Sequence, residues 1–131
     1  MTDDEFVHAF ESGALAPAAF DHAAHLRVAF TLLARRPFLE ACIAMRDGLR
    51  DIARRAGRPG LYHETITIAF MSIVLERMRR EPAADSLAFI ARHPELSERD
   101  LLARYYRPAT LQSAAARERF VLVDSALGHV A

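Results

Sequence analysis

Phe38-Leu-Glu-Ala-Cys-Ile-Ala-Met-Arg-Asp-Gly-Leu-Arg-Asp-Ile-Ala-Arg-Arg-Ala56 places Phe38, Cys42, Met45, Leu49, Ile52 and Ala56 on one stripe. Apolar side chains that return every three or four residues mark one buried face of an α-helix. Pro37 precedes this run and Gly57-Arg-Pro-Gly60 follows it. Both are helix breakers, so the helix is bounded on each side.

Outward from this run the pattern stays helical. Thr2 to Glu5 reads as a capping box for a short helix to about Ser12, ended by Gly13. A second long helix is predicted from about Ala18 to Arg35, and another from about Leu61 to Arg80. Beyond Pro82 come shorter helices: about Ala84 to Arg92, a segment capped by Ser97-Glu-Arg-Asp100 through Tyr106, and Pro108 to Val123. The tail from Ser125 to Ala131 is expected to fray. No stretch alternates in the two-residue period of a strand. The expectation is one all-α domain, residues 1–131: a compact helical bundle with three long helices and several short ones.

The chain of 131 residues has 17 basic and 17 acidic side chains, and every base is Arg. A neutral balance argues against a broad nucleic-acid or anionic-membrane surface, which needs concentrated positive charge. The Arg runs fall near helix ends, where the helix dipole favours them. The lone Cys42 reads as a small buried hydrophobe. The acidic N-terminus is wrong for a signal peptide, and no apolar run reaches the ~20 residues of a membrane span. A cytoplasmic location is the resulting expectation.

Phe20-Asp-His-Ala-Ala-His-Leu-Arg-Val-Ala-Phe30 carries the first chemical signal. With His22 at zero on a helical wheel, His25 lies at about 300°, Leu26 at about 40°, Ala29 at about 340° and Leu33 at about 20°. Both histidines thus continue a core stripe, with Arg27, Thr31 and Arg35 opposite. An i,i+3 pair sets two rings side by side, a spacing that suits two ligands on one ion. Asp21 either fixes an imidazole tautomer or caps the helix.

Tyr62-His-Glu-Thr-Ile-Thr67 is the second signal. His63 and Thr67 fall inside the apolar arc of the fourth helix, and Glu64 at its edge. Near a helix N-terminus the dipole disfavours imidazolium, so His63 is expected neutral, the form that binds metal or acts as a base. Thr67 stands where a zinc-protease motif needs its second histidine, which excludes that reading. There is no Gly-rich phosphate loop, no Gly-x-Ser-x-Gly elbow and no Cys-x-x-Cys pair.

Together, His22, His25 and His63 with Glu64 or Asp21 form a plausible ligand set for a divalent transition metal: Zn, Fe, Mn, Ni or Cu. Tyr62, Thr67, Tyr105 and Tyr106 could supply hydrogen bonds. An inward Arg117 would need an acid or an anionic ligand, whereas a snorkelling Arg117 would not. His8, His93 and His129 read as surface or capping residues.

Three segments resemble an uncharacterised group of small bacterial all-helical proteins: Phe20 to Ala29 (Phe-Asp-His-x-x-His-Leu-x-x-Ala), Tyr62 to Thr67 (Tyr-His-Glu-Thr-x-Thr) and Ser113 to Val121. The resemblance implies the same choice of His22, His25, His63 and Glu64 and supplies no reaction. A looser likeness is to DinB-type four-helix metal proteins, whose histidine spacing and order differ, so no residue is carried over.

Three functions follow as expectations. The first is a metal-dependent enzyme acting on a small molecule, with Glu64 as fourth ligand or general base. The second is a metal-free pocket for ligand binding or acid/base work. The third is a structural or interaction protein with a buried histidine network and apolar faces that support a homodimer.

Overall fold

Local capping signals set most helix ends in the computed structural model, which describes residues 1–125. Thr2 and Glu5 close a full capping box on α1 (Asp3–Ser12), and Gly13 stops it in the left-handed region at φ 78°. Asp21 caps α2 (His22–Arg35) by accepting from the Ala24 N–H at 2.8 Å. Then follow α3 (Phe38–Arg55), α4 (Glu64–Arg80), α5 (Ser86–Arg92), α6 (Pro108–Leu111) and α7 (Ala114–Glu118), joined by short 3₁₀ turns. No strand occurs among the described residues. The fold is the expected all-α bundle with three long helices, α2, α3 and α4.

Four boundaries differ from the sequence reading. Pro17–Ala19 forms a separate 3₁₀ turn, so α2 begins only after Asp21. Pro59–Leu61 does the same ahead of α4, which leaves His63 outside the helix as its N-cap. The expected last helix from Pro108 to Val123 is two short helices, because Ser113 caps a new start by accepting from Ala116 N–H and the chain turns extended at Arg119. The Ser97–Asp100 cap is also replaced, by 3₁₀ turns over Pro94–Ser97 and Leu101–Arg104. Ser125, expected to fray, is buried and donates to the Arg104 carbonyl at 2.7 Å. Residues 126–131, including His129, lie outside the described residues.

α2 is the hub: it packs against α1, α3, α4 and α5. One core cluster draws on all five, with Phe10, Leu26, Val28, Leu32, Met45, Met71, Val74 and Phe89 almost wholly buried. Each such side chain stabilises the fold by about 1.5–3 kcal/mol relative to exposure. Thr31, expected to face outward, is buried too, and it avoids an unpaired hydroxyl by donating to the Arg27 carbonyl at 2.8 Å. Gly48 lets α3 approach α1: a Cβ there would lie 2.1 Å from the Phe10 ring. The Arg runs close the last turns of α2, α3 and α4, as expected. No helix among the described residues is long and apolar enough to cross a membrane.

Candidate functional site

The two histidines of α2 have different surroundings. His22 sits in the first turn and is exposed, but its Nε2–H donates to the Leu96 carbonyl at 3.0 Å. His25, one turn further in, packs its ring against Phe70 (centroids 5.0 Å apart), Phe20 (5.6 Å) and His22 (6.4 Å). The ring is only partly covered, yet its Nε2 is sealed and has no hydrogen-bond partner. Leaving a buried polar atom unpaired costs about 1–3 kcal/mol. Burial, helped by the neighbouring His22, pushes the His25 pKa down to about 4, so the ring is neutral.

His25 and Ile66 form a wall shared by two grooves. One, of about 400 Å³, is lined mainly by Leu49, Ile52, Ala53, Leu61 and Ile66, with Arg58, Tyr62, His63 and Thr67. The other, of about 440 Å³, lies between Phe70, Leu96, Tyr106 and Leu111, with His22, Arg99, Asp100 and Gln112. Both are mostly apolar, and both fall at the small end of the roughly 300–1,000 Å³ range of ligand pockets.

His63 lines the first groove but is chemically committed. Its Nδ1 accepts the Ile66 N–H at 3.1 Å, and its Nε2–H donates to the Leu111 carbonyl at 2.7 Å. Both partners allow only one role, so the tautomer is fixed and both ring nitrogens are engaged. Thr67 donates to the His63 carbonyl at 2.8 Å. Asp21 is occupied as a cap. Glu64 accepts from the Tyr62 hydroxyl at 2.6 Å and lines neither groove. Its charge and, more strongly, burial push the Cys42 thiol up to about 11. Burial and the Glu64 contact likewise raise the Tyr62 phenol. Cys42 is buried, as expected. The structure thus brings His22 and His25 together, and His25 and His63 to one groove, while Glu64 turns away. Among the described residues no three His, Cys, Asp or Glu side chains form a group that could hold a metal ion.

Much of the Tyr62–Thr67 segment is a clasp for the C-terminal segment. Thr65, fully buried and overlooked by the wheel, donates to the Arg119 carbonyl at 2.8 Å and accepts from the Val121 N–H at 3.1 Å. Arg117 needs neither acid nor anion: one Nη1 donates to the carbonyls of Gly60, Leu61 and Tyr62 at 2.8, 3.2 and 3.3 Å. Tyr106 is buried and donates to the Val121 carbonyl at 2.7 Å. The segments Tyr62 to Thr67 and Ser113 to Val121 are therefore each other's partners. The adjacent threonines of Thr65-Ile-Thr67, both placed at the start of an apolar helix, were the available signal for Thr65.

His93 is the C-cap of α5, a capping position as expected, though not a surface one. It is buried against Phe89, with ring centroids 4.8 Å apart, because the His93-Pro94 junction turns inward. Its Nδ1 meets Glu95 Oε1 at 3.1 Å, and its Nε2 is the other buried nitrogen without a partner. It lines neither groove. His8 is exposed, as expected.

Comparison with known protein families, curated proteins and solved structures finds no match for this chain.

Proposed function

We propose that this chain binds a small, largely apolar molecule in the groove between α3 and the start of α4, with His25 as the polar contact. The observation that carries this reading is the sealed, partnerless Nε2 of His25 in a wall common to two apolar grooves. A ligand that opens the wall slightly gives that nitrogen its missing partner and recovers part of the cost of leaving it unpaired. Tyr62, His63 and Thr67 already have partners, so they shape the groove and His25 is left to respond.

The same chemistry favours binding over acid/base turnover. A general base works best with a pKa near the operating pH, and His25 lies far below neutrality. The metal-dependent reading gains less support, since His63 has no free nitrogen and Glu64 points elsewhere.

The test is an NMR titration of the imidazole-labelled protein with octanol, a neutral apolar probe. Saturable shifts of the His25 ring signals, together with the methyls of Leu49, Ile52 and Ile66, are expected. If those signals stay still, or if His25→Leu leaves octanol affinity and the methyl response unchanged, the reading fails.

A further inference from the structure

The first groove has a charge pattern that names a ligand class, an inference that rests on the binding function proposed above. Its lining holds one guanidinium, Arg58, and no carboxylate. Arg58 is exposed, and among the described residues its side chain has no ion pair and no hydrogen bond. Arg79, Arg99, Arg104, Arg107 and Arg119 are likewise without a side-chain partner among the described residues; what distinguishes Arg58 is that it lines this groove.

The backbone at Arg58 is held on both sides. The Gly57 N–H donates to the Arg54 carbonyl at 3.0 Å and the Arg58 N–H to the Ala53 carbonyl at 2.8 Å. With Gly57 left-handed at φ 73°, this is a Schellman motif that closes α3. Immediately downstream, Arg117 grips the carbonyls of residues 60 to 62. Arg50, whose guanidinium lies 4.9 Å from the centre of the Tyr62 ring, is balanced by the Glu64 carboxylate on the Tyr62 hydroxyl, which leaves Arg58, among the described residues, as the groove's one cation. The side chain at position 58 is therefore a free cation on a fixed base, next to a largely apolar groove.

We propose that the ligand of this groove is a small apolar monocarboxylic acid, bound as its anion with the carboxylate held by Arg58 and meeting the Nε2 of His25, and the hydrocarbon against Leu49, Ile52, Ala53 and Ile66. A guanidinium fork matches a carboxylate with two parallel hydrogen bonds. A single cation suits a single negative charge better than a phosphate dianion. The apolar walls suit a chain or ring rather than a polar metabolite.

Octanoate, octanol and octylamine share one hydrocarbon and differ in the head group. Calorimetric or NMR titration of the full chain near neutral pH is expected to rank octanoate at least about tenfold tighter than octanol, with octylamine weakest. Arg58→Gln erases the preference for octanoate over octanol, while Arg99→Gln, in the other groove, preserves it. Added salt weakens octanoate and not octanol in the wild-type protein, a readout that needs no variant. Equal affinity for acid and alcohol, a preference for the amine, or a preference that survives Arg58→Gln overturns the proposal. If octanol and octanoate bind equally and both move the His25 signals, the binding function stands and only the carboxylate assignment falls. If neither moves them, the binding function itself is refuted, and this assignment with it.

Discussion

Replacing His25 by Leu is expected to leave stability about unchanged near neutrality and to raise it increasingly as the pH falls. His25 takes up a proton near pH 6.5 in the unfolded chain but only near about 4 when folded. As the pH drops through that window the unfolded state gains a proton that the folded state refuses, so stability is lost on acidification. From the two values, the loss between about pH 7 and pH 5 is about 2 kcal/mol. Leu cannot titrate, so the variant escapes this loss. It also removes the unpaired Nε2, a gain of about 1–3 kcal/mol. Against that, it gives up ring contacts with Phe20 and Phe70, each worth about 0.5–1.5 kcal/mol. The two terms roughly cancel at neutrality, and the difference grows to a gain of about 2 kcal/mol near pH 5. Asp3, Glu11, Asp51 and Glu95 are held below the usual carboxylate range, so they titrate beneath this window. Urea unfolding followed by circular dichroism at the two pH values measures the effect. Parallel losses of stability in wild type and variant would show that His25 is not the buried neutral base described, and the argument for the site would fail at its root.

Other substitutions probe the framework. His63→Ala removes the cap of α4 and strands the Leu111 carbonyl; a loss of about 2–3 kcal/mol is expected, with faster hydrogen exchange across residues 105–125. Unchanged exchange there would deny the clasp. Gly48→Ala improves helix propensity by about 1 kcal/mol, yet drives a methyl into the buried Phe10 ring. Overpacking of about 1–3 kcal/mol should prevail, and a stabilised variant by calorimetry would show that the α1–α3 contact is loose. Zinc titrated into protein without a histidine tag is expected to find only weak, non-stoichiometric sites. A one-to-one complex abolished by His22→Ala, with the fold intact, would revive the metal-dependent reading.

The fold was legible where signals are local. The stripe from Phe38 to Ile52, the box at Thr2 and Glu5, and the glycines at 13 and 57 each act within a turn or two of themselves. Failure came where a distant partner decided the outcome. A helical wheel assumes helical geometry, and His63 at φ −135°, ψ 110° does not have it. Histidine is also an uncommon cap, so neighbouring residues gave little warning. His22 lies on the expected stripe, but at the helix end, where the stripe has run past the core. The break after Glu118 depends on Thr65, more than fifty residues earlier. His25 was recoverable because it obeys simple periodicity and sits one full turn inside α2. Its lack of a partner was not, since that depends on Phe20 and Phe70 filling the space where one would be.

The hydroxyl of Thr65 behaves like a miniature strand edge: a lone oxygen that gives to one peptide group and takes from another two residues along. Because it addresses only main-chain atoms, the side chains at 119 and 120, both exposed, are free to vary. Even Val for Thr at 65, identical in outline, would leave two peptide groups with nothing to hold, and proline at 121 would cut the same tether from the other end.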